Sequence, residues 1–174
     1  MLDNTISQLQ RDLAAWDGKT IEDIEQVLAR YASNDDFTDA ILVLLSNAAC
    51  QQGASWLLKR RFEQGVRLDT ENTQQLINAL SGLDNWQTKL HCLQSIGYLQ
   101  IPSESVRALE YWVRHCLTDS NKFVRAWAYS AFFELADQYP KFRPEVLQFF
   151  ELAARDEPAS VLARIRQLKK RGFR

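Results

Sequence analysis

Asp119-Ser120-Asn121-Lys122-Phe123-Val124-Arg125-Ala126-Trp127-Ala128, continued by Ala131, Phe132 and Leu135, is the stretch whose reading decides the fold. A polar turn leads into Val124, Ala128, Ala131 and Leu135, whose spacing of three and four residues puts them on one helix face. Phe123, Trp127 and Phe132 make other sides apolar too. A helix apolar on most sides belongs between neighbours. Asp119 or Ser120 is expected to open it as the cap.

Two more aspartates repeat the arrangement. Asp84 lies 35 residues before Asp119 and Asp156 lies 37 after it, each between two helical patterns. Working outward from this unit, start signals and 3.6-residue periodicity give ten helices joined by short connections. The first covers about 3–15, with Leu2, Ile6, Leu9 and Leu13 on one face. Thr20 with Asp23 suggests a capping box for the second. The third, about 37–50, is apolar on most sides, and the fourth follows Gly53. Thr70, Asp84 and Ser103 are expected to cap the fifth, sixth and seventh, while Pro144 and Pro158 suit the first turns of the ninth and tenth. Leu and Ala together number 41 against 16 for Val and Ile, and no segment alternates at period two. That balance favours helix over strand.

The unit resembles the second helix of a HEAT repeat, in which a turn aspartate is followed five and six positions later by Val-Arg and then by small residues. Asp119, Val124, Arg125, Ala128 and Ala131 match in position. The next unit keeps Asp156 and Val161, with Leu162 in place of the arginine, and the preceding one keeps Asp84. The resemblance implies an all-α fold, a right-handed α-α superhelix of stacked antiparallel helix pairs (a HEAT-like solenoid) in a single domain, 1–174. Residues 1–34 form capping helices, and the pairs span 37–66, 70–99, 103–139 and 143–171. One pair cannot cover its own apolar faces, so stacked pairs share a continuous core.

Composition narrows the function. No apolar run approaches the ~20 residues of a membrane span; the longest is Ala40–Leu45. The first 13 residues lack the basic start and apolar stretch of a secretory signal. A cytoplasmic, soluble protein is therefore expected. Net charge is −1, yet residues 1–40 hold nine acids against three bases. The remainder is basic, so the charge is polarised along the chain. Cys50, Cys92 and Cys116 are far apart, form no zinc pattern and sit in apolar helical patterns, as small buried hydrophobes do. His91 and His115 stand alone, and there is no phosphate loop, nucleophile elbow or His-Glu-x-x-His helix. No catalytic residue, metal ligand or cofactor is expected.

The candidate site residues are Lys59, Arg60, Lys89, Arg125, Tyr129, Phe133 and Arg164. Arg125, Tyr129 and Phe133 recur every four residues along one helical stripe. In HEAT proteins the arginine matching Arg125 bridges to turn aspartates, here Asp119 or Asp84. The other reading is contact with a carboxylate or phosphate of a partner, which a guanidinium fork suits. Lys59, Arg60, Lys89 and Arg164 fall on the second helices, which in this family line the concave side. The five tryptophans fall mostly on apolar faces, where core packing and interaction anchoring are both open. The expected function is a non-catalytic scaffold that binds a protein or peptide on the concave surface. The alternative is a nucleic-acid-binding protein similar to HEAT-like DNA alkylation-repair glycosylases, since basic grooves with aromatics hold nucleic-acid backbones. A sequence pI near 6.1 argues against that alternative.

Overall fold

A computed structural model describes all residues, Met1–Arg174. The chain is 76% helical and has no strand, as the excess of Leu and Ala predicts. Ten α-helices follow one another: α1 (Leu2–Ala15), α2 (Ile21–Tyr31), α3 (Phe37–Leu44), α4 (Gln51–Glu63), α5 (Thr70–Ala79), α6 (Trp86–Ser95), α7 (Val106–Cys116), α8 (Lys122–Gln138), α9 (Arg143–Asp156) and α10 (Ala159–Arg171). Single 3-10 turns cover Leu80–Gly82, Ile96–Tyr98, Ser103–Ser105 and Pro140–Phe142. No helix is long and apolar enough to cross a membrane. The helices group into two compact units, 1–92 and 93–174, where the sequence suggests one domain; the boundary falls inside α6 and so inside the expected 70–99 pair.

In the first unit α3 is the central helix, packed on α1, α4 and α5. Phe37, Ala40, Ile41, Leu42 and Leu44 are all buried, as expected of a helix apolar on most sides. It ends six residues earlier than its pattern suggests, because Asn47 builds a turn. Its side chain accepts from the Ala49 amide, and its carbonyl accepts from the amides of Cys50 and Gln51. Ala48 and Ala49 are exposed in that turn. Gly53 does not precede α4 but lies within it. A Cβ there would stand 2.7 Å from Leu13 Cδ2 and 3.4 Å from the Trp16 ring, so the missing side chain is what lets α1 approach α4.

In the second unit α8 is central, packed on α7, α9 and α10. Ten of its residues are buried, among them Val124, Ala128, Ala131 and Leu135. Phe123, at its first turn, is exposed.

Several caps differ from those expected. Thr20 does not cap α2; its hydroxyl donates to Asp17 Oδ2 at 2.6 Å, and Asp17 Oδ1 accepts the amides of Lys19 and Thr20. These bonds hold the Asp17 carboxyl down at about 2. Asp69, not Thr70, caps α5 by accepting from the Asn72 amide. Asn85 accepts from Gln87 and Thr88 at the start of α6, and Asn121 accepts from Phe123 and Val124 at the start of α8. Of the aspartates of the repeat pattern, Asp119 is a turn residue that accepts from the Asn121 amide, and Asp156 is the last residue of α9. Ser103 donates to Glu104 and caps nothing. Pro144 lies in the first turn of α9, whereas Pro158 sits just ahead of α10 as its cap position.

Candidate functional site

The stripe Arg125–Tyr129–Phe133 lies along α8, but it is not an open surface. Tyr129 retains 7% of its exposure and Phe133 retains 1%. Phe150 of α9 covers both rings, at 6.1 Å from Tyr129 and 6.2 Å from Phe133. Phe173, beyond α10, also stacks on Phe133, at 4.3 Å. Helical spacing locates the stripe correctly; nothing local tells that α9 and the residues after α10 fold over it.

Arg125 is anchored. Its Nε donates to both oxygens of Glu157, at 3.0 and 3.1 Å, and its Nη1 donates to the carbonyls of Asp119 and Ser120. The ladder reading of Arg125 therefore has a different partner: the carboxylate that it grips is that of Glu157, in the turn between α9 and α10, and from Asp119 it takes the backbone oxygen. Hydrogen bonding to Glu157 raises the guanidinium pKa further. Glu157 lies 32 residues from Arg125 in sequence, and no spacing rule pointed to it.

Beside this pair is a shallow hollow of about 260 Å³, lined by Leu117, Thr118, Tyr129, Phe149, Leu152, Ala153, Asp156 and Glu157. The end of α7 forms one wall, the end of α9 the other, and Tyr129 of α8 the floor. Burial, and then the nearby charge of Glu157, push the Tyr129 phenol up. Leu152 stays 46% exposed at the rim. Asp156 is exposed there too. The hollow thus offers an apolar floor and an acidic edge. Further along the unit, Tyr111 of α7 is 77% exposed and Leu147 of α9 is 48% exposed. Arg114 joins these two helices, bonding Glu110 at 2.8 Å and Glu145 at 2.6 Å.

Arg164 of α10 lies over the Trp127 ring at 3.8 Å, and burial lowers its pKa. It packs on an aromatic face, where a cation contributes roughly 0.5–2 kcal/mol.

Lys59, Arg60 and Lys89 belong to the first unit. Lys59 bonds Glu63 at 2.5 Å, and Arg60 bonds Glu63 at 2.7 Å and approaches Glu25 at 3.7 Å. Arg60 also lies over Trp56. Lys89 is half-buried on α6. Carboxylates of the same unit thus partner two of the residues expected to make a basic groove. His91 Nδ1 and Ser55 Oγ share a hydrogen bond of 2.9 Å; burial, helped by the charge of Lys59, lowers the imidazole to about 4. All three cysteines are buried and free, and burial raises the Cys50 thiol. No group of three or more His, Cys, Asp or Glu is placed to hold a metal ion.

No protein-family model, no curated protein and no solved structure matches this chain.

Proposed function

We propose that the chain is a non-catalytic binding module, built on HEAT-like helix pairs, whose partner is a peptide or protein segment. The observation that carries this reading is the hollow between α7 and α9. It has an aromatic floor with the Arg125–Glu157 pair beside it, an exposed leucine at the rim and a carboxylate at the edge. Such a surface suits an apolar side chain flanked by a cation, with Tyr129 and Phe149 as aromatic contact area. The stripe on α8 acts indirectly: Tyr129 shapes the floor, and Phe133 packs behind it. Pairing of Lys59 and Arg60 with carboxylates weighs against a phosphate-binding groove, since such a groove works by neutralising phosphates. Three buried free thiols suit a reducing compartment, so the cytoplasm is the proposed setting.

Selection of displayed random peptides on the whole chain tests the reading. The expected result is a set of peptides with an apolar residue next to Lys or Arg, whose binding falls at least tenfold on Leu152→Asp. Peptides that bind the variant as well as the parent, or no enrichment at all, would reject the hollow as the site.

A further inference from the structure

Residues 171–174, which follow or end α10, fold back across α8 and fill a cradle that the hollow does not use. Gly172 makes the reversal with φ +70° and ψ 167°, a conformation open almost only to glycine. The Phe173 ring then stacks on Phe133 at 4.3 Å, nearly parallel at 11°, and the Arg143 guanidinium lies over the same Phe173 ring at 5.0 Å. Arg171 lies over the Phe133 ring at 4.6 Å and bonds Glu134 at 2.5 Å, with Asp137 at 3.7 Å. The Arg174 amide donates to Asp137 Oδ1 at 2.6 Å, and its carbonyl accepts from Arg143 Nη2 at 2.6 Å.

Every group in this cradle has a counterpart in the segment. Phe133 and Arg143 both contact an aromatic ring, Glu134 takes a cation two residues before it, and Asp137 and Arg143 hold the backbone N–H and C=O of the residue after it. The contacts come from little more than one turn of α8, Phe133 to Asp137, and from Arg143 at the start of α9, and the segment supplies four residues. A helix end that needed no more than a stop would not need an arginine lid, two carboxylates and a left-handed glycine.

We infer that the face of α8 around Phe133, Glu134 and Asp137 is a binding site for a short cationic peptide with an arginine two residues before a phenylalanine, and that residues 171–174 occupy it in cis. A partner segment of the same chemistry takes the site when the chain's own segment leaves. The site is separate from the hollow at Leu152, so each stands or falls by itself. Because α10 continues directly into the segment, its local concentration is in the millimolar range typical of short tethers, and a free competitor meets a filled site. Release is also easy to bias: the segment is held by one ring and a few polar contacts, and Arg171 and Arg174 are themselves solvent-exposed.

The test uses a fluorescent heptapeptide with the sequence of residues 168–174, amidated at its end, titrated into the full-length chain and two variants. Gly172→Ala strains the reversal while keeping every contacting side chain, and no atom lies within 4 Å of the added Cβ. Phe173→Ala removes the anchor itself. By anisotropy, both variants are expected to bind the peptide at least tenfold more tightly than the unsubstituted chain. Replacing the phenylalanine of the peptide by alanine, or adding Glu134→Gln to the Gly172→Ala chain, should weaken that binding at least fivefold. Equal binding by all three chains, binding indifferent to the peptide's phenylalanine, or no binding by either folded variant at 1 mM peptide would overturn the inference. Retention of the parent's helical circular dichroism shows that a variant is folded, and the two variants fail by different routes, so either one suffices.

Discussion

Arg125 and Glu157 are joined by a two-oxygen contact, Nε to Oε1 at 3.0 Å and to Oε2 at 3.1 Å, which ties the start of α8 to the turn between α9 and α10. Both side chains are largely covered, and the arginine also closes the carbonyls of Asp119 and Ser120. Lysine offers a point charge and cannot reproduce this fork. Arg125→Lys is expected to cost about 1–2 kcal/mol, and Arg125→Met more, because it strands a largely covered carboxylate. Urea unfolding of the two variants checks the order; equal midpoints for parent and Arg125→Met would show that the pair contributes nothing.

Tyr129 separates packing from recognition. Its ring is buried against Phe150, so Tyr129→Ala should cost roughly 3 kcal/mol, as large aromatic truncations do. Tyr129→Phe keeps the ring and should stay within about 0.5 kcal/mol of the parent. Thermal melts decide this. An alanine variant as stable as the parent would return the α8 stripe to the surface.

His91 sets a pH dependence in the first unit. Its folded pKa is lowered to about 4 by burial and by Lys59, against an ordinary value near 6.5. The unfolded chain therefore binds more protons between these two values, and stability rises with pH across that window. The contribution is complete above about pH 6.5 and lost progressively toward pH 4, with a ceiling of about 3 kcal/mol. Denaturation midpoints of parent and His91→Asn from pH 4 to 7.5 should diverge in slope; parallel curves would contradict the assignment.

Gly53 marks a contact between helices. Alanine is the better helix former by about 1 kcal/mol. Its Cβ, however, meets Leu13 Cδ2 at 2.7 Å, and it also stands 3.4 Å from the Trp16 ring and 3.6 Å from Ile24 Cδ1. Overpacking of this kind costs about 1–3 kcal/mol. Gly53→Ala is thus expected to destabilise by a net 1 kcal/mol or so, and a raised melting temperature would show that α1 yields.

Much of the fold was legible because it depends on local periodicity. The apolar character of α3 and α8 announced the two central helices, and the cysteines and most faces fell where helical spacing placed them. The misses share a cause. Asp69, Asn85 and Asn121 cap their helices in place of Thr70, Asp84 and Asp119, because neighbouring polar residues compete for the same amides and their local geometry decides. Asn47 ended α3 early by building a turn inside an apolar pattern. At the candidate site, Arg125 was readable as an anchor, while Glu157, Phe149, Leu152 and Phe173 were not. They reach α8 only through packing of α9, α10 and the residues beyond, which no spacing within one helix encodes.

Nucleic acid provides a separate check. With Lys59 and Arg60 bonded to carboxylates, duplex DNA should bind no more tightly than about 10 µM at physiological salt, the range of unspecific phosphate contact. Submicromolar, salt-sensitive binding abolished by Lys59→Glu with Arg60→Glu would favour the phosphate-groove alternative.

The most direct test of the binding-module account is leucine-methyl NMR on the full chain during titration with a peptide selected on it. The account predicts that the methyl signals of Leu152 and Leu117, at the rim of the hollow, shift in proportion to binding while those of Leu42 and Leu57, in the core of the first unit, stay in place. Shifts centred on leucines of the first unit, with Leu152 and Leu117 unmoved, would contradict it.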